Sequence, residues 1–269
     1  MLGAILGDIT GSTYEHHNRK SKDNYLFTKW SRVTDDSVMT LAVAEAFLRA
    51  KAKGLLEDEA AVKELLVDAL HKWGEEYPDA GYGGRFIQWL SFREMEPYNS
   101  WGNGSAMRVS PAGWMGSNMD EVRRLARWSA EVTHNHEEGV KGAEAVASAI
   151  YMARTDCSKA EIKAYVETEF GYDLDRTCDE IRPDYYFDVS CQGSVPEAII
   201  AFLDGEDFED TIRNAISLGG DSDTIAAMAG SIAEAYFGIP AWMEAKAMEY
   251  LDDEMAEVLE AFKDDQNAD

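Results

Sequence analysis

Cysteine and positive charge are both scarce in this chain. Its three cysteines, Cys157, Cys178 and Cys191, form neither a CxxC pair nor zinc-ribbon spacing. That pattern argues against a disulfide framework and for a reducing, cytoplasmic setting. Lys and Arg number 25 against 51 Asp and Glu, a formal net charge of −26. Nucleic acid and anionic membrane are poor partners for such a surface, because phosphate contacts need clustered Lys and Arg. A small phosphate-bearing ligand is still admissible, since bound cations and helix ends reverse the field locally. Long apolar runs are missing too. The longest, residues 225–243, carries Gly230, Ser231, Glu234 and Pro240, and reads as a buried helix and not as a membrane span. No basic segment opens the chain, and Asp8 interrupts its first apolar run, so no signal peptide is expected. Alternating β-branched runs, a Pro/Ser/Gly linker and a solenoid repeat are all lacking.

What is present is helical periodicity. In residues 37–53, Val38, Leu41, Ala42, Ala46, Phe47 and Leu48 make a broad inward face on good helix formers. The same spacing predicts helices over 57–73, 120–131, 137–154, 158–170, 195–203, 208–218, 221–237 and 243–262. Helix-start residues recur at Thr34, at Ser158 with Glu161 three residues on, and at Asp207. With 45% hydrophobic residues over 269 positions, the expectation is one all-α domain over 1–263. Residues 264–269 follow as a short acidic tail expected to fray. Four long connections, 15–33, 74–84, 96–104 and 177–193, are places where function concentrates in compact helical proteins.

Two acidic clusters open predicted helices. Thr34-Asp35-Asp36-Ser37 is explained, taken alone, by capping and by the helix dipole. Gly219-Gly220-Asp221-Ser222-Asp223-Thr224 is not. Capping accounts for one acid there, not for two carboxylates and a hydroxyl at i, i+2 and i+3 ahead of an almost wholly apolar helix. Buried carboxylates are costly without a cation, and no Lys or Arg lies between Asn214 and Ala245. A metal is therefore the economical partner. If the clusters converge, four carboxylates and two threonine hydroxyls make a hard oxygen set suited to two Mg²⁺ or Mn²⁺ ions. Two further stretches are weaker. Gly3, Gly7 and Gly11 permit close helix packing, with Glu15 opening an exposed loop beyond. In Asn99-Ser100-Trp101-Gly102-Asn103-Gly104-Ser105, glycines alternate with small donors ahead of a helical stretch, a pattern that suits either a phosphate cradle or a plain surface turn.

Together, Gly7-Asp8…Gly11…Glu15, Thr34-Asp35-Asp36-Ser37, Gly102-Asn103-Gly104-Ser105-Ala106-Met107-Arg108, Thr133-His134-Asn135-His136 and Gly219-Gly220-Asp221-Ser222-Asp223-Thr224 resemble the ADP-ribosylglycohydrolase family. That family includes the hydrolase that reactivates dinitrogenase reductase and the ADP-ribosyl-arginine and ADP-ribosyl-serine hydrolases. The motifs arrive in the family's order and span nearly the whole chain. The resemblance implies a single-domain orthogonal helical bundle with a binuclear Mg²⁺ or Mn²⁺ centre. Thr34, Asp35 and Asp36 would bind metal from one side, and Asp221, Asp223 and Thr224 from the other. Glu15 matches the flap glutamate, and with Asp36 and Asp223 it is a candidate catalytic residue. Ser100 to Asn103 match the loop that holds the diphosphate, with Asn99, Gly104 and Ser105 beside it as further substrate-binding candidates. His134 falls in a pocket-lining motif, and Ser194 in a second such loop. Tyr82 and Trp101 are candidates to stack on adenine. Ser37 and Ser222 stand where many members have Thr, and both keep a hydroxyl.

The activity so implied is metal-assisted cleavage of the glycosidic bond at ribose C1″ of an ADP-ribosylated protein side chain, arginine favoured over serine. The rivals are a hydrolase of a small ADP-ribose conjugate and a non-catalytic ADP-ribose-binding protein of the same fold. On the residues alone, a Mg²⁺-dependent phosphohydrolase is the leading alternative.

Overall fold

The computed structural model describes residues 1–268. Among them are fifteen helices: α1 (Leu2–Gly11), α2 (Asp35–Ala52), α3 (Glu59–Glu76), α4 (Gly84–Ser91), α5 (Gly104–Met107), α6 (Ser110–Met115), α7 (Met119–Glu131) and α8 (Glu137–Arg154), then α9 (Lys159–Phe170), α10 (Cys178–Ile181), α11 (Cys191–Asp204), α12 (Phe208–Leu218), α13 (Ser222–Phe237), α14 (Ala241–Met248) and α15 (Asp253–Ala268). No strand occurs in the described residues. The protein is all-α, and no described helix is long and apolar enough to cross a membrane.

The centre of the molecule follows from the glycine spacing. Gly3, Gly7 and Gly11 recur every four residues, so they line one face of α1, and that face lies directly on the backbone of α13. A methyl group at position 7 would overlap the Ala226 carbonyl, and one at position 11 would press on Ser222 and Asp223. Helix α13 is buried at every position from Ser222 to Ala233, as its nearly uniform apolar sequence requires. Helices α11 and α12 also pack on it, while α2 lies between α1 and α3, and α7 and α6 flank α8. The apolar run at 225–243 thus ends as a core helix at Phe237, where Gly238 takes a positive φ of 74°.

Three sequence expectations are revised. Residues 243–262 form two helices, because the Asp252 side chain accepts from the Met255 backbone N–H at 3.0 Å and starts a new helix. The change of direction lets Met243, Met255, Leu259 and Phe262 all bury. The acidic end continues α15 beyond Phe262 to Ala268, and Asp265 pairs with Lys51 of α2 at 3.0 Å; Asp269 lies outside the described residues. The long connections also hold short helices that their composition hid, α10 in 177–193 and the start of α11 in the same stretch.

Candidate active site

Both acidic helix mouths are shaped by neighbours and not by their own caps. Thr34 occupies the N-cap position of α2 without capping it. Its backbone N–H and its hydroxyl donate to the Asp8 carboxylate at 2.9 and 2.6 Å. The Ser37 N–H donates to the same group at 3.1 Å, and the Ser37 hydroxyl also donates to it. A carboxylate on α1 therefore satisfies the orphan donors of α2 and fixes how Asp35 and Asp36 enter the site. At the other mouth, Gly219 and Gly220 both take φ +71°, a conformation side chains resist. The turn they make delivers Asp221, which accepts from Asn103 Nδ2 at 2.7 Å. The mouths then meet: the Thr224 hydroxyl donates to Asp36 Oδ2 at 3.2 Å.

Carboxylate oxygens crowd there in two triads that share Asp223. Asp8, Asp36 and Asp223 form one, Glu15, Asp221 and Asp223 the other, and within each the oxygens lie within 4.8 Å of one another. Asp36 Oδ1 is buried with no hydrogen-bond partner. Burial holds the Asp36 and Asp223 carboxyls well above the usual carboxylate range, and the neighbouring acids push them further. Asp35 is pushed up to about 8, by burial and then by Asp8 and Asp221. Glu15 and Asp221 are raised as well, burial being the main cause in each. A set of hard oxygens with an unpartnered buried atom among them fits one or more divalent cations.

These acids close one end of a cavity of about 400 Å³. Its walls include Ser100, Gly102, Asn103, Gly104, His134, Phe187 and Val189. The wall loop is stitched to the segment before α11. The Asn103 N–H donates to the Val189 carbonyl at 2.8 Å, and the Cys191 N–H to the Trp101 carbonyl at 2.9 Å. Across the mouth, Asn18 anchors the Glu15 loop. Its Oδ1 accepts from the Gly220 N–H at 2.7 Å and its Nδ2 donates to the Gly220 carbonyl at 3.2 Å. Lys20 Nζ donates to the Leu218 and Tyr185 carbonyls at 2.5 Å each.

Of the residues singled out in the sequence, Glu15, Asp35, Asp36, Asp221, Asp223, Thr224, Ser100, Gly102, Asn103, Gly104 and His134 line this cavity. Six others stand elsewhere. Thr34 is not in the cavity wall, its hydroxyl donating to Asp8 at 2.6 Å and standing 3.4 Å from Asp36 Oδ2. Asn99, at φ 54°, donates its N–H to Asn135 Oδ1. Trp101 is exposed beside His136, with ring centroids 5.5 Å apart. Tyr82 is buried against Phe86, bordering a separate small pocket. The Ser105 and Ser194 hydroxyls donate to the Gly139 and Ser190 carbonyls, each at 2.7 Å, so they brace the loops from behind. Phe187, which the sequence did not mark as a site residue, enters the cavity wall. Sequence reasoning also gave no site role to Asp8, Tyr98, Arg85 or Arg108. Asp8 alone carried a readable signal, a lone carboxylate inside a glycine-striped apolar helix.

The sequence profile of ADP-ribosylglycohydrolase matches residues 1–268. The chain belongs to that family. Among its relatives in the family is ADP-ribosylhydrolase ARH3 of Homo sapiens, 30% identical over 89% of this chain and 84% of its own length. The Mus musculus ARH3 is 29% identical over 89% and 83%. ADP-ribosylarginine hydrolase Tri1 of Pseudomonas putida (strain GB-1) is 24% identical over 91% and 72%. A solved ADP-ribosylglycohydrolase-related protein complex superposes with a TM-score of 0.70 over 97% of this chain and 95% of that one, at 24% identity, and shares the fold.

Proposed function

We propose that the cavity is the active site of a metal-dependent hydrolase that releases ADP-ribose from a modified protein side chain, arginine favoured over serine. The observation that carries this reading is the junction of the two acidic helix mouths around the unpartnered Asp36 Oδ1 at one end of the cavity. Asp35, Asp36, Asp221, Asp223 and the Thr224 hydroxyl would hold two divalent cations, Mg²⁺ or Mn²⁺. Thr34 would join them, because its proton points to Asp8 and its lone pairs remain free. When bound, such ions supply positive charge that neutralises the acids and polarises ribose hydroxyls and water.

The protein's own groups divide the remaining work. The N–H groups and small side chains of 100–104, with His134 beside them, would cradle the diphosphate. Phe187 offers an aromatic wall for the adenine end, in place of Tyr82. Water adds to ribose C1″, the C1″–N bond to the acceptor breaks, and the departing nitrogen takes up a proton. Glu15, Asp36 and Asp223 would stabilise the positive charge that builds on the sugar and carry the proton. Glu15, a cavity-lining carboxylate on an anchored loop, would favour a cationic guanidinium acceptor over a neutral serine O-glycoside. The three unpaired cysteines support action in a reducing compartment such as the cytoplasm.

The test is incubation with ADP-ribosyl-arginine and ADP-ribosyl-serine peptides, with and without chelator. Metal-dependent release of free ADP-ribose, faster from arginine, is expected. Phosphate release in its place would favour a phosphohydrolase, and binding without turnover would make this a binding protein.

A further inference from the structure

Arg108 is buried, has no carboxylate partner in the described structure, and lines the cavity of a strongly acidic protein. One of its terminal nitrogens, Nη2, donates to the Ser129 carbonyl and to the Thr133 hydroxyl, both at 2.7 Å. Guanidinium is a donor only, so Thr133 Oγ1 must accept from it. The hydroxyl has one proton of its own, and His134 Nδ1 lies 2.7 Å away. Thr133 is fully buried, and Nδ1 is the acceptor within its reach. Were Nδ1 the donor, the hydroxyl would accept twice and its own proton would be left unmatched in a dry site, an arrangement folded proteins avoid.

We propose that Arg108 and Thr133 form a relay that fixes His134 as the neutral Nε2–H tautomer, a hydrogen-bond donor aimed into the cavity at an anionic ligand group. Nε2 points toward Gly102 and Gly104. It would stand 3.1 Å from a methyl at 104 and 3.6 Å from one at 102, so the missing side chains keep its approach open. Burial and the Arg108 charge hold the imidazole well below its usual range, which keeps the ring uncharged at neutral pH. A neutral donor can bind a diphosphate oxygen without taking part in proton transfer. His134 is thereby separated from the acids that handle protons, and Thr133 and Arg108 are positioning residues. The identity of the ligand rests on the ADP-ribose reading above; the tautomer does not.

Long-range ¹H–¹⁵N spectra of the whole protein at neutral pH report the tautomer directly, with His134→Gln used to assign its signals. The Nε2–H pattern is expected for His134 with or without ADP-ribose. An Nδ1–H pattern or a charged ring would overturn the relay. Thr133→Val should disturb the Nε2–H pattern and raise the Kd for ADP-ribose roughly tenfold, with kcat changed less than KM, while Thr133→Ser stays within about twofold of the parent. A folded Thr133→Val protein with an unaltered His134 spectrum and parental affinity would also refute it. If the parent shows the Nε2–H pattern yet binds no ADP-ribose, the relay stands and the ligand assignment fails.

Discussion

The Thr224 hydroxyl donates to Asp36 Oδ2 at 3.2 Å, joining two helix mouths that are 188 residues apart in sequence. Neighbouring groups fix the acids on either side of that contact. Asp8 holds the α2 side, Asn103 holds Asp221, and Gly11 sits against Asp223. The carboxylates are therefore forced together by the fold, and their mutual repulsion calls for a cation.

Replacing Asp36 or Asp223 by Asn should abolish divalent-metal binding and lower hydrolysis by more than about 100-fold. The metal-free variants should unfold at higher temperature than the metal-free parent, since a like charge is removed. Calorimetric metal titration beside circular dichroism checks both effects. Unchanged metal stoichiometry would count against the ligand assignment.

The metal-free protein should lose stability as pH rises. Asp35 titrates at about 8 in the folded chain against an ordinary 3.8, and Asp36 and Asp223 are also raised. The folded state thus binds more protons than the unfolded state between these limits. Stability is full below about pH 4 for these groups and declines as pH climbs toward 8. Urea midpoints in chelator at pH 5 and pH 8 measure it, and added Mg²⁺ or Mn²⁺ should shrink the difference.

Gly11→Ala should cost about 1–3 kcal/mol, because the new methyl presses on Ser222 and Asp223. Weaker metal affinity should accompany it, as the main chain carrying Asp223 must shift. Gly54→Ala is a control of another kind: nothing lies within 4 Å of the added methyl, and only its positive φ of 68° is strained. It should lower the unfolding temperature without touching metal affinity.

Asn18→Ala removes both hydrogen bonds between the Glu15 loop and Gly220. Amide exchange over 14–24 should quicken, and kcat should fall about tenfold. Unfolding temperature should move little, because Asn18 is exposed and bridges a loop and not the core.

Phe187→Ala should raise KM for the ADP-ribosylated peptide about tenfold, on the scale of one base–aromatic stack, while Tyr82→Phe leaves it unchanged. Steady-state kinetics of the two variants separate the cavity aromatic from the buried one.

Much of this was readable beforehand, for identifiable reasons. Helices α8 and α12 begin and end where their apolar spacing and capping residues say, because their faces are regular and their ends are locally determined. The acidic pairs were legible because buried like charges have few explanations. Thr34 misled because a good N-cap sequence does not reveal a competing carboxylate from another helix, here Asp8. Tyr82 and Ser194 misled for a related reason. A loop's sequence does not say which of its side chains turn toward solvent, cavity or core, and that is decided by long-range contacts such as those pinning Trp101 and Asn103 to 189–191. The small helices α4, α5 and α10 are too short for periodicity to show.

At Gly7 and Gly11 the contact of α1 on α13 is main chain against main chain, with no side chain between to be trimmed or enlarged. Chemistry at the acidic floor is accordingly intolerant of drift, whereas the stretch 16–33 that follows Glu15 is held apart from that contact, by Leu26 in the core, by Phe27 against Trp242 and Tyr250, and by polar anchors such as Asn18 and Lys20. Acceptor preference in this scaffold should be transplantable: exchanging the loop that carries Glu15 between relatives should swap which modified side chain is accepted while leaving the cleavage apparatus as it was.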